Sequence, residues 1–192
     1  MTCLCDNPWV FHRDEIDLLE EEVDEMYRFK GEMETRVLKE QIETEETSDA
    51  ELSLSIGPEY LLSQPAAHQE ATSSLDVSLA QELRMQSTRD PIYEQMYLWA
   101  KRVFAYTTKR YIDEQIRDED IFRAHVNVKM IPIKYVAAQS ELISGDPIAE
   151  EIAKKEQSLC VTYFRRTLDS LEHRSFLGDE EAVPLVMEGK EL

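Results

Sequence analysis

The stretch DPIYEQMYLWAKRVFAY, residues 90–106, decides how this chain folds. Asp90 ahead of Pro91 is a helix start: an N-cap side chain, then a residue whose fixed φ suits the first helical turn. From there Tyr93, Met96, Tyr97, Ala100, Val103 and Phe104 recur at helical spacing, with Trp99 beside them. That spacing lays one broad apolar stripe along a helix. Tyr111 continues the stripe. Glu114, Gln115 and Asp118 then fall in its phase, so the helix is expected to end near residue 117.

Working forward, Asp118, Glu119 and Asp120 read as the cap and first turn of a second helix, where carboxylates favour the positive end of the dipole. Over 119–143 its stripe is Ile121, Phe122, His125, Val128, Ile131, Tyr135 and Val136. Pro132 removes a backbone donor and crowds the carbonyl of Val128, which predicts a kink or a break. The run Val126–Ile131 alternates in part, so a strand there is the competing reading. Ser144–Gly145–Asp146–Pro147 is a turn with a left-handed position, an N-cap and a first-turn proline. A third helix follows to about Arg174, with Ile148, Ile152, Leu159, Cys160, Tyr163, Phe164, Leu168 and Leu171 on its stripe. Residues 175–192 read as a loose acidic tail in which Val183, Leu185, Val186 and Met187 could still pack.

Working back, the chain changes character near Asp90. Residues 1–89 carry 21 acidic and 7 basic side chains, and residues 90–192 carry 19 and 14. Residues 1–46 form an acidic arm whose helix begins near Asp14. Ile16, Leu19, Val23, Met26, Met33 and Val37 are separated by 3, 4, 3, 7 and 4 residues, a heptad seam with Lys30 at the gap. Such a seam docks on its own bundle, pairs with a second copy or binds a partner helix. Residues 47–89 read as a Ser/Thr/Glu-rich linker with a short helix around Leu75, Leu79 and Leu83. The expected fold is all-α: an up-and-down bundle of three or four helices over 90–174, preceded by an acidic amphipathic helix.

Composition narrows function by exclusion. A net charge of −19 over 192 residues opposes binding to nucleic-acid phosphates or to anionic membrane, and favours basic partners. No apolar run approaches the roughly 20 residues of a membrane helix. The first 25 residues lack the basic start and apolar run of a secretory signal. Cys3, Cys5 and Cys160 are odd in number and make no disulfide framework, which points to a reducing cytoplasm.

The chemistry is sparse. There is no G-x-S-x-G elbow, and five isolated glycines build no phosphate cradle. Cys3, Cys5 and His12 fall short of a zinc site, and no Glu precedes a histidine by three positions as a di-iron bundle requires. No catalytic residue, metal or cofactor is expected. His125, with Tyr97 and Pro132, is the candidate ligand site: an imidazole on a core-facing stripe, near a carbonyl freed by proline. The alternative for His125 is a core histidine bonded to a neighbour.

Eight basic residues between Lys101 and Lys134 face five acids, a locally positive region in a negative chain. The acidic first helix is therefore expected to lie on this surface, open to displacement by a competitor. The functional expectation is a non-enzymatic interaction or regulatory protein with a protein partner or a homodimer. A small-molecule-binding bundle around His125 and an acidic decoy for a basic groove are the alternatives.

Overall fold

The computed structural model describes residues 31–56, 91–144 and 147–192. Its elements are α1 (Glu32–Ile56), α2 (Pro91–Thr108) running into a π-helical turn (Lys109–Asp113), α3 (Glu119–Ser144), α4 (Pro147–Phe176) and α5 (Ala182–Glu191). Among the described residues there is no strand, and the Val126–Ile131 run is helical.

Its partial alternation has a simple cause. Helix α3 sits at the centre, packed by α1, α2 and α4, so its apolar positions are not confined to one stripe. Ile121, Phe122, Ala124, Val126, Val128 and Ile131 are all buried. Pro132 neither ends nor splits α3, which continues to Ser144; contacts along its faces hold it through the missing donor. Asp118 caps it as the sequence implies, its Oδ1 accepting the Asp120 and Ile121 amides at 3.0 and 3.1 Å.

Three boundaries differ from the sequence reading. Residues 47–56, read as linker, continue α1. Residues 13–30 of the arm and the short helix around Leu75 lie outside the described residues. Helix α2 leaves α-geometry at Thr108, not at 117: Glu114 N–H donates to Lys109 O at 2.9 Å, and Gln115 adopts φ 56°. The widened turn carries Tyr111 into the core.

The third correction is the tail. Gly178, at φ 92°, takes the left-handed position after α4. Its N–H donates to Ser175 O, and the Asp179 N–H donates to Arg174 O, both at 3.1 Å, a closing pattern that turns the chain back. Asp179 then accepts from Tyr106 Oη and Arg110 Nη2, each at 2.9 Å. Helix α5 follows and buries Ala182, Leu185 and Val186 against the main core. Trp99, expected only beside the stripe, is fully buried there and donates Nε1–H to Leu185 O at 2.8 Å.

Candidate functional site: an acidic helix on a basic seam

Helix α1 carries eight acidic and two basic side chains. Only Val37 and Leu38 of its apolar residues are fully buried, at 2% and 4% exposure. They pack with Tyr111, Ile121, Phe122 and Val126, and half-buried Met33 joins them. Most other fixed contacts of α1 are made by carboxylates.

Those contacts form a ladder. Tyr111 Oη donates to Glu34 Oε1 at 2.5 Å. Glu40 lies between Arg123, 3.4 Å away, and Arg166, 3.3 Å away. Glu45 accepts from Tyr163 Oη at 2.5 Å and from Lys134 Nζ at 2.9 Å. Asp49 pairs with Lys155, and Arg36 pairs in the opposite sense with Glu119. Partners on α3 rise in number as α1 advances, and those on α4 fall. So α1 runs parallel to α3 and antiparallel to α4, along the seam between them.

The electrostatics match. The hydroxyl of Tyr111 holds the Glu34 carboxyl below its ordinary range, against the opposing effect of burial. Burial, with the Glu34 bond, pushes Tyr111 up to about 12. Burial would draw Lys134 down, but Glu45 and Glu156 outweigh it and hold its ammonium above the usual value. Gln41 is buried in the same interface, and its Oε1 has no hydrogen-bond partner among the described residues. Between Glu40 and Glu51 the fit of α1 against α4 is open. A cleft of about 380 Å³ between α1 and α4 is lined by Glu40, Thr44, Ser48, Ser158 and Arg166, among others. A second cleft, of about 260 Å³, shares Ser48 and adds Lys154 and Lys155. Leu54 beyond is 84% exposed.

Of the six seam residues, Ile16, Leu19, Val23 and Met26 lie outside the described residues. Met33 and Val37 pack within the chain itself, in the cluster with Tyr111, Ile121, Phe122 and Val126. The basic region is engaged by α1 only in part, through Arg123 and Lys134, with Lys155 and Arg166 of α4 supplying the rest. The sequence reading missed Glu34, Glu40, Glu45 and Asp49 as contacts. Their signal was available in part: past Val37 the heptad phase continues through Glu40, Thr44 and Thr47, so the seam turns polar opposite the cations.

His125 is 3% exposed. Its Nδ1 lies 2.9 Å from Thr107 Oγ1, and its ring stacks on Phe104 at 5.0 Å. Burial, with the Lys129 charge one turn on, pushes its imidazole down to about 3. Tyr97 stacks on Tyr93 at 6.0 Å, and Pro132 lies two turns of α3 past His125. The three are thus strung along packed helices. Cys160 is buried, pushed up to about 11 by desolvation, with its thiol 3.4 Å from Ile131 O. Among the described residues no group of three or more His, Cys, Asp or Glu could hold a metal, and no helix is long and apolar enough to cross a membrane. Cys3, Cys5 and His12 lie outside those residues.

Compared with protein-family models, curated proteins and solved structures, the chain finds no match.

Proposed function

We propose that this is a non-enzymatic interaction protein in which α1 is a displaceable acidic strap over a basic groove between α3 and α4. The observation that carries the reading is how α1 is held. Over 25 residues it buries two apolar side chains fully, and it makes polar contacts to three other elements. Burying Val37 and Leu38 contributes about 4 kcal/mol before ordering costs. Partly exposed ion pairs add about 0.2–1 kcal/mol each and weaken with salt. A helix held so modestly can exchange with another of the same character. The partner is then an acidic amphipathic helix with a short apolar patch, supplied by another protein or by a second copy.

The test uses the full chain. Glu40→Lys with Glu45→Lys repels the strap from Arg123, Arg166 and Lys134 while leaving the groove intact. A fluorescent peptide of residues 32–56 should bind this variant at least tenfold more tightly than it binds the unaltered chain, and lose affinity as salt rises. Equal binding to both proteins, or none to either, sinks the reading.

A further inference from the structure

We infer that Ser48 is a phosphorylation site for an acidophilic serine kinase, and that its phosphate releases the strap. The inference rests on the reading of α1 as displaceable, and adds what controls it. Ser48 stands in the run Glu45–Glu46–Thr47–Ser48–Asp49–Ala50–Glu51. Acids at the following position and three residues on, with two more upstream, suit a kinase whose substrate groove is basic.

Its structural setting singles it out further. Thr44, Thr47, Ser53 and Ser55 on the same helix each donate their hydroxyl to a carbonyl of α1, at 2.6–2.8 Å. Ser48 has no such bond, and its half-buried side chain lines both clefts at the α1–α4 boundary. A phosphate there would sit one helical turn from Glu45 on one side and Glu51 on the other. Like charges at that spacing oppose the helix, and a doubly charged group does so more strongly. Glu45 is also the residue that ties α1 to Tyr163 and Lys134, so the repulsion falls on the centre of the ladder. The cations that line the two clefts with Ser48 are engaged: Arg166 with Glu40, Lys155 with Asp49, and Lys154 with Glu151. A kinase needs an extended substrate, so it captures α1 while undocked, and the phosphate then opposes return. In the transfer, Ser48 Oγ loses its proton to the base of the kinase and bonds to the γ-phosphorus of Mg·ATP. The bond from that phosphorus to the ADP oxygen breaks, and ADP leaves.

The experiment treats the full-length protein and its Ser48→Ala variant with an acidophilic kinase of the casein-kinase type and γ-labelled Mg·ATP. Hydrogen exchange along α1 is then followed, with the Glu40→Lys/Glu45→Lys protein alongside. The expected result is label that Ser48→Ala abolishes, and amide exchange in α1 faster by about tenfold with α2–α5 unchanged. Label retained in Ser48→Ala overturns the site. Label at Ser48 with exchange in α1 unchanged or slower overturns the switch. If the double lysine variant frees α1 and the phosphate does not, only the switch falls; if neither frees it, the strap falls as well.

Discussion

Lowering the pH from 7 to 5 should weaken the bundle through one buried imidazole. His125 is held neutral at about 3 because burial, helped by the Lys129 charge, penalises its protonated form. In the unfolded chain the same side chain titrates near 6.5. Its folded value is depressed, so its contribution is whole above pH 6.5, declines as pH falls, and levels off near pH 3. At pH 5 the unfolded imidazole is almost fully protonated and the folded one is not. The loss is then about 1.4 kcal/mol for each of the 1.5 units below 6.5, about 2 kcal/mol in all. Carboxylates confuse this window little: Glu34 and Asp179 are both held below the ordinary carboxylate range. Relief of a −19 charge acts with the opposite sign, and a subtraction removes it. Urea unfolding free energies at pH 7 and pH 5 should be compared for the unaltered chain and for His125→Gln. The variant is less stable at pH 7, having lost the stack on Phe104, but its pH 7-to-5 loss should be smaller by about 2 kcal/mol. Equal losses in the two proteins would mean that His125 reaches a proton in the fold, and would refute the burial argument.

Two substitutions probe the packing of the outer helices. At Gly189 an added Cβ would come within 3.0 Å of both Leu168 Cδ1 and Trp99 Cζ2. Trp99 is pinned by its bond to Leu185 O and cannot yield, so Gly189→Ala should lower stability by about 1–2 kcal/mol in spite of alanine's better helix propensity; a raised melting temperature would contradict this. Gln41→Leu removes a buried carbonyl oxygen that has no partner among the described residues. It should raise stability by about 1 kcal/mol and slow amide exchange in α1, whereas faster exchange would show that the amide is satisfied in solution.

The sequence announces helices wherever local signals agree. Asp118 caps α3, and the stripe from Tyr93 to Phe104 faces the core as its spacing requires. It misleads where tertiary contact decides. The end of α2 is set by a π-helical turn that turns Tyr111 inward, and no local pattern encodes the Glu34 carboxylate waiting there. The tail reads as loose because its acids stand out. Yet Asp179 is spent on Tyr106 and Arg110, and Gly178 makes the reversal that brings Leu185 and Val186 to the core. At α1 the apolar seam was the obvious feature, while the residues that fix its direction are the carboxylates between. Their meaning needs the positions of Arg123, Lys134, Lys155 and Arg166, which one strand of text does not bring together.

The contrast between the two flanking helices is why we propose a function for α1 and not for α5. Helix α5 has only ten residues, yet it buries Ala182, Leu185, Val186 and Gly189, and an indole hydrogen-bonds its backbone. Removing it would uncover Trp99 and Leu168, which lie against Gly189, at the edge of a core cluster that water penalises along its whole area. Helix α1 is more than twice as long and covers chiefly cations, tyrosine hydroxyls and one small apolar cluster. Uncovered, Arg123, Lys134, Lys155 and Arg166 gain hydration, which offsets much of what their pairs with α1 supply. The chain therefore has one helix whose loss would open its core and another whose loss would open a charged groove. Only the second kind of opening is cheap enough to serve as an equilibrium that a partner, a salt change or a phosphate can shift.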